Sequence, residues 1–147
     1  MTSQTPIAIV TTLLDSFAAG EPEAALATID DDIVYTNVSL PTVRGKSKVA
    51  MVFAGTKKSW VGFDYRMINV SDDGATVLTE RIDEVRVGPL AVRFWVLGRF
   101  EIAEGRIVVW RDYFDWWDCT RGFVRGLLAI AVPAAQRRMP AKLAVAR

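Results

Sequence analysis

The chain has 147 residues, 51% of them apolar, and a net charge of +1 with no block of like charges. That suits one domain with a substantial core, and it leaves no basic stripe to attract nucleic acid. The absence of histidine and the single cysteine, Cys119, exclude Ser-His-Asp and Cys-His chemistry, most catalytic zinc sites and an intramolecular disulfide.

Residues 1–6 lack a basic start and an apolar run, so no signal peptide is expected. Ile9, Val10, Leu13, Leu14 and Phe17 recur at helical spacing and predict an amphipathic helix over 5–19, ended by Gly20. Pro22 suits the first turn of a short second helix over 22–29. Residues 33–39 are strand-like, with Tyr35 and Asn37 on one face. After a loop marked by Pro41 and Gly45, Val49, Val52 and Phe53 predict a third helix over 46–59.

The period then changes to two. Strands are expected at 61–71, 75–87, 90–103 and 106–115, separated by turn signals at 72–74, 88–89 and 104–105. The last segment, from Trp116, reads as a helix until Pro133, with Phe123, Leu127 and Ile130 spaced for a buried stripe. Its most apolar part, 122–132, contains Arg125 and is too short to span a membrane. Helices followed by an antiparallel meander indicate an α+β domain over 1–147, residues 119–147 forming a C-terminal helix and tail. A curved sheet wrapped around the first helices would make a cone with an apolar interior. The outer face carries Trp95, Leu97, Ile107, Val109 and Tyr113. A second subunit making a homodimer, or the C-terminal helix, must cover them.

Charged groups stand out against this pattern. Alternation along 75–87 places Arg81 and Asp83 on the mainly apolar face, with Glu80, Glu84 and Arg86 on the other. On the last strand Asp112 shares a face with Val108, Trp110 and Phe114. Burying charges is costly unless they are paired. An Asp–Arg–Asp cluster meets that cost, either as a structural salt bridge or as an acid–base pair with shifted pKa values. Asp115 reads as a helix cap and Cys119 as an inert residue.

Tyr35-x-Asn37, the run Thr79, Glu80, Arg81, x, Asp83 and the run Trp110, Arg111, Asp112, Tyr113, Phe114, Asp115 together resemble the limonene-1,2-epoxide hydrolase family, over residues 5–118. The resemblance implies an NTF2-like (SnoaL-like) cone, a dimer, and one-step opening of an apolar epoxide by water to a vicinal diol, with neither metal nor cofactor. It also implies roles. Asp112 is the general base, Tyr35 and Asn37 hold the water with it, Asp83 is the general acid, and Arg81 bridges the carboxylates. Pocket candidates by strand parity and family position are Phe53, Val85, Phe94, Val96 and Phe114, with Trp60 a further one.

The apolar C-terminal segment departs from what a small cyclic terpene such as limonene-1,2-epoxide requires, and resembles members acting on bulkier lipid- or sterol-like epoxides. It reads as a packing helix or as a lid over the cone mouth. Ketosteroid-isomerase-like or polyketide-cyclase-like chemistry, and non-catalytic binding of apolar ligands, are the other readings open to a cone. A bacterial cytoplasmic location is expected.

Overall fold

A computed structural model describes residues 4–144. Residues 1–3 of the N-terminal stretch and 145–147 of the tail lie outside the described residues. Helix α1 (Pro6–Ala18) starts with Pro6 in its first turn, and the Thr5 hydroxyl accepts the Ala8 amide at 3.2 Å. This is the expected N-terminal chemistry, a capping oxygen followed by proline. Its buried side, Ile9, Val10, Leu13 and Leu14, seeds the core. Helix α2 (Pro22–Ala27) ends earlier than its sequence suggests, because Ile29 already belongs to strand β1 (Ile29–Asn37). A two-residue strand β2 (Val43–Arg44), too short to leave a periodic signal, pairs with β1. Helix α3 (Lys46–Ala54) stops at Gly55, and a 3₁₀ turn over Gly55–Lys57 replaces its expected last turn.

Four long strands follow: β3 (Val61–Asp72), β4 (Thr76–Val87), β5 (Leu90–Ala103) and β6 (Arg106–Phe114). They form one sheet in the order β2-β1-β6-β5-β4-β3. β1 runs parallel to β6, and every other pairing is antiparallel. The α1 helix packs on β3, β4 and β6, so the core lies between it and the concave face of the curved sheet.

Ile107 is not on the outer face with Val109 and Tyr113. It is fully buried, because Val108 is an extra residue between the pairs Ile102–Ile107 and Glu101–Val109. One bulged residue shifts the alternation by one and moves Ile107 inward.

Helix α4 (Trp116–Ala131) also differs from its sequence reading. Phe123, Leu127 and Ile130 are exposed, and the buried strip is Asp118, Gly122 and Gly126. The cause is an open strand edge. β6 ends at Phe114, opposite Val96, so residues 90–95 of β5 have no strand beside them on that side. An unpaired edge must be covered or satisfied. α4 does both. The Asp118 carboxylate accepts the Trp95 amide at 2.8 Å, and the glycines bring the helix against the carbonyls of Arg93 and Ala91. Gln136, beyond the helix, donates to the Ala91 carbonyl at 2.9 Å. Asp115 caps the helix by accepting from Trp117 and Asp118, as its position suggests. Among the described residues no helix is long and apolar enough to cross a membrane.

This packing sets an expectation for stability. A Cβ at Gly122 would stand 2.3 Å from the Arg93 carbonyl oxygen, whereas one at Gly55 meets nothing within 4 Å. Gly122→Ala should lower unfolding free energy by about 1–3 kcal/mol through overpacking against rigid backbone. Gly55→Ala, at an ordinary φ of −62°, should leave it unchanged or slightly higher. Urea denaturation of the two variants beside the wild type measures the difference.

Candidate active site

The centre of the cone is a buried ionic cluster. β4 turns Thr79, Arg81 and Asp83 to the concave face, and β6 turns Asp112 to the same face. Arg81 Nε donates to Asp83 Oδ1 at 2.8 Å, and Nη2 donates to Asp112 Oδ2 at 2.7 Å. Nη1 donates to Thr79 Oγ1 at 3.0 Å. The guanidinium is 1% exposed, and the two aspartates are each 4% exposed. Each of its three nitrogens therefore has an acceptor, which is what a buried cation requires.

Two of the residues that hold this arrangement carry no charge. Gly98 on β5 pairs with Thr79 on one side and Asp112 on the other. A Cβ there would stand 2.4 Å from Arg81 Nη1 and 2.6 Å from Thr79 Oγ1. The guanidinium lies across the space a side chain would fill, a use of glycine inside a strand that allows close approach. Neither Thr79 nor Gly98 was identifiable as a partner of Arg81 before the strand register was known, although threonine at an inward position was a signal.

Tyr35 and Asn37 come from β1, opposite Trp110 and Asp112. Asn37 Nδ2 donates to the Tyr35 hydroxyl oxygen at 2.9 Å, leaving the phenolic proton free to donate elsewhere. The Tyr35 ring packs on Trp110 with centroids 4.6 Å apart. Asp112 Oδ1 is buried with no hydrogen-bond partner among the described residues. A buried carboxylate oxygen left open is expensive unless something small and polar meets it.

Electrostatics separate the groups. Burial pushes the Asp83 carboxyl up to about 6, with Asp112 adding to the rise and Arg81 opposing it. Burial, then the nearby Asp112 charge, pushes the Tyr35 hydroxyl up to about 12, so it stays protonated. For Arg81 burial acts downward, but Asp112 and Asp83 outweigh it and hold the guanidinium above its usual range.

The pocket candidates divide into two groups. Val85, Phe94 and Phe114 are half-buried beyond Asp83, with Phe94 opposite Asp83 in register. Phe94 and Phe114 have ring centroids 5.9 Å apart, and Trp116 continues the row at 6.0 Å from Phe114. Phe53 and Val96 are fully buried; Phe53 belongs to the core with Phe17 and Trp110, and Val96 sits opposite Arg81. Trp60 is exposed, with Lys58 Nζ 5.2 Å from its ring. On the β3 side, Tyr65 and Met67 stand opposite Asp83 and Arg81. They line a hollow of about 320 Å³ with Thr11, Asp15 and tail residues Lys142, Leu143 and Ala144. Tyr65 donates to Asp15 at 2.8 Å, and its hydroxyl pKa is raised, by burial first and then by that bond. No strand pattern could have shown that the tail reaches this side.

The molecule is thus an NTF2-like cone holding two carboxylates on one arginine beside a tyrosine–asparagine pair. The sequence matches the family model for the limonene-1,2-epoxide hydrolase catalytic domain over residues 4–125. It is 45% identical over 108 residues to the epoxide hydrolase EphG of Mycobacterium tuberculosis (strain ATCC 25618 / H37Rv), covering 74% of this chain and 72% of that protein. The structure of an M. tuberculosis LEH-like epoxide hydrolase superposes with a TM-score of 0.87 at 38% identity, covering 95% of this chain and 100% of that one. A ketosteroid-isomerase-like fold from Catenulispora acidiphila DSM 44928 has a TM-score of 0.70 at 15% identity, covering 82% of this chain and 95% of that one, and shares the fold alone. The chain belongs to the limonene-1,2-epoxide hydrolase family and is an epoxide hydrolase of that type.

The raised pKa of Asp83 has a consequence for stability. The folded state holds this proton more tightly than the unfolded chain, whose carboxyl keeps the ordinary value of 3.8. The contribution is therefore fully present below 3.8 and is lost as pH rises through about 6. Wild-type unfolding free energy should fall relative to Asp83→Asn between those pH values. Denaturant titrations of both proteins at intervals across that window show whether the difference has this sign.

Proposed function

We propose that the enzyme opens an apolar epoxide to a vicinal diol in one step, by Asp–Arg–Asp general acid–base catalysis with water as the nucleophile. The observation that carries this reading is the open Asp112 Oδ1. Its sister oxygen is held by Arg81, and the Tyr35–Asn37 pair lies on the neighbouring strand. A water molecule fits that set of groups. Asp112 accepts one of its protons, Tyr35 donates to its oxygen, and the Asn37 amide oxygen accepts its second proton. Held in this way, the water loses little further freedom at reaction.

The epoxide oxygen is met by Asp83. A carboxyl with a pKa raised to about 6 keeps a protonated fraction near neutral pH, and that form can donate. The water oxygen forms a bond to one epoxide carbon as that carbon's bond to the ring oxygen breaks. Asp112 takes the water proton and Asp83 gives its proton to the departing alkoxide. Both oxygens stay on one molecule, so the product is a vicinal diol. One aspartate is charged before and after, and Arg81 touches both. The net charge of the cluster is thus constant through the reaction, and no new charge has to be buried. Return of one proton from Asp112 to Asp83 resets the site.

Val85, Phe94 and Phe114, with Val96 beside them and Phe53 deeper in the core, form the apolar wall next to Asp83, suiting a cyclic terpene epoxide or a bulkier lipid- or sterol-like one. The protein requires neither metal nor cofactor in this mechanism. Homodimer formation through Leu97, Val109 and Tyr113 covers the outer face of the sheet, where these residues are partly exposed.

Asp83→Asn and Asp112→Asn should each reduce kcat by about 10²–10⁴-fold with the circular dichroism spectrum retained. The double variant should lose little more, because the two residues act as a unit. In heavy-oxygen water, the diol from a single turnover with enzyme in excess should carry the label. Near-wild-type diol formation by either variant, or an unlabelled first-turnover diol, would falsify the mechanism, the latter by pointing to a covalent intermediate.

A further inference from the structure

After Asp115 the chain changes character. The first 115 residues carry 12 basic and 16 acidic side chains, whereas residues 116–147 carry six basic ones and a single acid, Asp118. The C-terminal part is thus at +5 while the rest is at −4. That one acid is occupied, accepting the Trp95 amide and pairing with Arg121 and Arg137 at 3.2 and 3.1 Å.

The same segment displays the longest exposed apolar face among the described residues. Because α4 buries only its narrow strip of Asp118, Gly122 and Gly126, with Cys119, Arg125 and Ala129 half-buried, its large apolar side chains face outward. Trp117 is 67% exposed and Leu128 57%, with Val124 also exposed. At 100° per residue, Trp117, Arg121, Arg125 and Leu128 fall on one side of the helix. Arg121 and Arg125 also line, with Arg137, an open hollow of about 470 Å³. Arg125 has no hydrogen-bond or ion-pair partner among the described residues.

An apolar helix face with an indole at its start and guanidinium groups along its flank has the composition of an interfacial helix. We propose that α4 docks the enzyme on an anionic lipid surface. Trp117, Val124 and Leu128 enter the boundary between headgroups and acyl chains, and Arg121 and Arg125 meet the phosphates. Charge selects this occupant over a second copy of the chain. A two-fold contact through α4 would set Arg121, Arg125 and Arg137, with Asp118 the one acid among them, against the same group of the second copy, whereas a layer of anionic headgroups complements them. Trp116, at the head of the helix, touches Phe114 of the apolar wall beside Asp83. Docking therefore brings that wall near the layer into which apolar epoxides partition, a benefit that rests on the reading above, although the docking itself does not.

The test is flotation of the full-length protein with vesicles of phosphatidylcholine alone or with a third phosphatidylglycerol. Anionic vesicles should carry the protein at low salt, and binding should fall at least about tenfold on neutral vesicles or in 0.5 M salt. Arg125→Gln should weaken binding about fivefold, and Trp117→Ser with Leu128→Ser by more than tenfold. Trp117 and Leu128 are exposed, and Arg125 is half-buried without a hydrogen-bond or ion-pair partner among the described residues, so thermal midpoint and turnover of a small water-soluble epoxide should stay at wild-type values. Absence of flotation with anionic vesicles, equal flotation with neutral ones, or binding unchanged in the variants overturns the proposal. So does a dimer mass in light scattering that becomes monomeric in Trp117→Ser/Leu128→Ser, since a second copy then occupies the face. If Asp83→Asn floats like the wild type while making no diol, docking and catalysis are distinguished.

Discussion

The concave face of this protein is organised around one buried guanidinium. Arg81 is among the largest fully buried side chains in the molecule, and it sits where the sheet would otherwise be packed with aliphatic groups. Removing a cation from water is tolerable only when every donor finds an acceptor and the charge is balanced. Those demands fix the surroundings. They account for a threonine at 79, aspartates at 83 and 112, and a side-chain-free position at 98 where the guanidinium crosses β5. Two carboxylates around one cation leave a surplus negative charge unless one of them takes a proton. Burial raises the proton affinity of Asp83, which takes that proton below about pH 6. The acid–base asymmetry that the proposed reaction needs is thus also the arrangement that lowers the cost of folding around Arg81.

A second constraint shapes the outside. β5 extends past the end of β6 and exposes a row of backbone groups. α4 covers it with two glycines and one aspartate rather than with apolar side chains. That choice leaves the apolar residues of the helix unburied. The aspartate cap, the glycine contacts and the exposed Trp117 and Leu128 follow from one feature, the different lengths of two neighbouring strands.

Much of this was legible beforehand, and the parts that were not have physical reasons. Alternation in the long strands placed Arg81, Asp83 and Asp112 on one face, because period two survives wherever the ladder is regular. It failed for Ile107, where the extra residue Val108 breaks the ladder. It could not reveal β2, whose two residues contain no period. The spacing of Phe123, Leu127 and Ile130 correctly implied a helix, yet it suggested the wrong buried side. Helical periodicity reports that an apolar face exists; what it meets is a tertiary matter. Pairing of Arg81 with Thr79 and the close approach at Gly98 required the register between strands. So did the separation of Phe53 and Val96, which are core, from Phe94 and Phe114, which border the site.

The central claim is that below about pH 6 the cluster holds a proton on Asp83, with Arg81 between the two carboxylates. Infrared difference spectroscopy of the protonated carboxyl stretch reads this directly. A carboxylic-acid band should be present in the wild type at pH 5 and bleach as pH rises through about 6. It should be absent from Asp83→Asn at every pH in that range. A band that persists in Asp83→Asn and disappears in Asp112→Asn would place the proton on the other carboxylate and contradict the account.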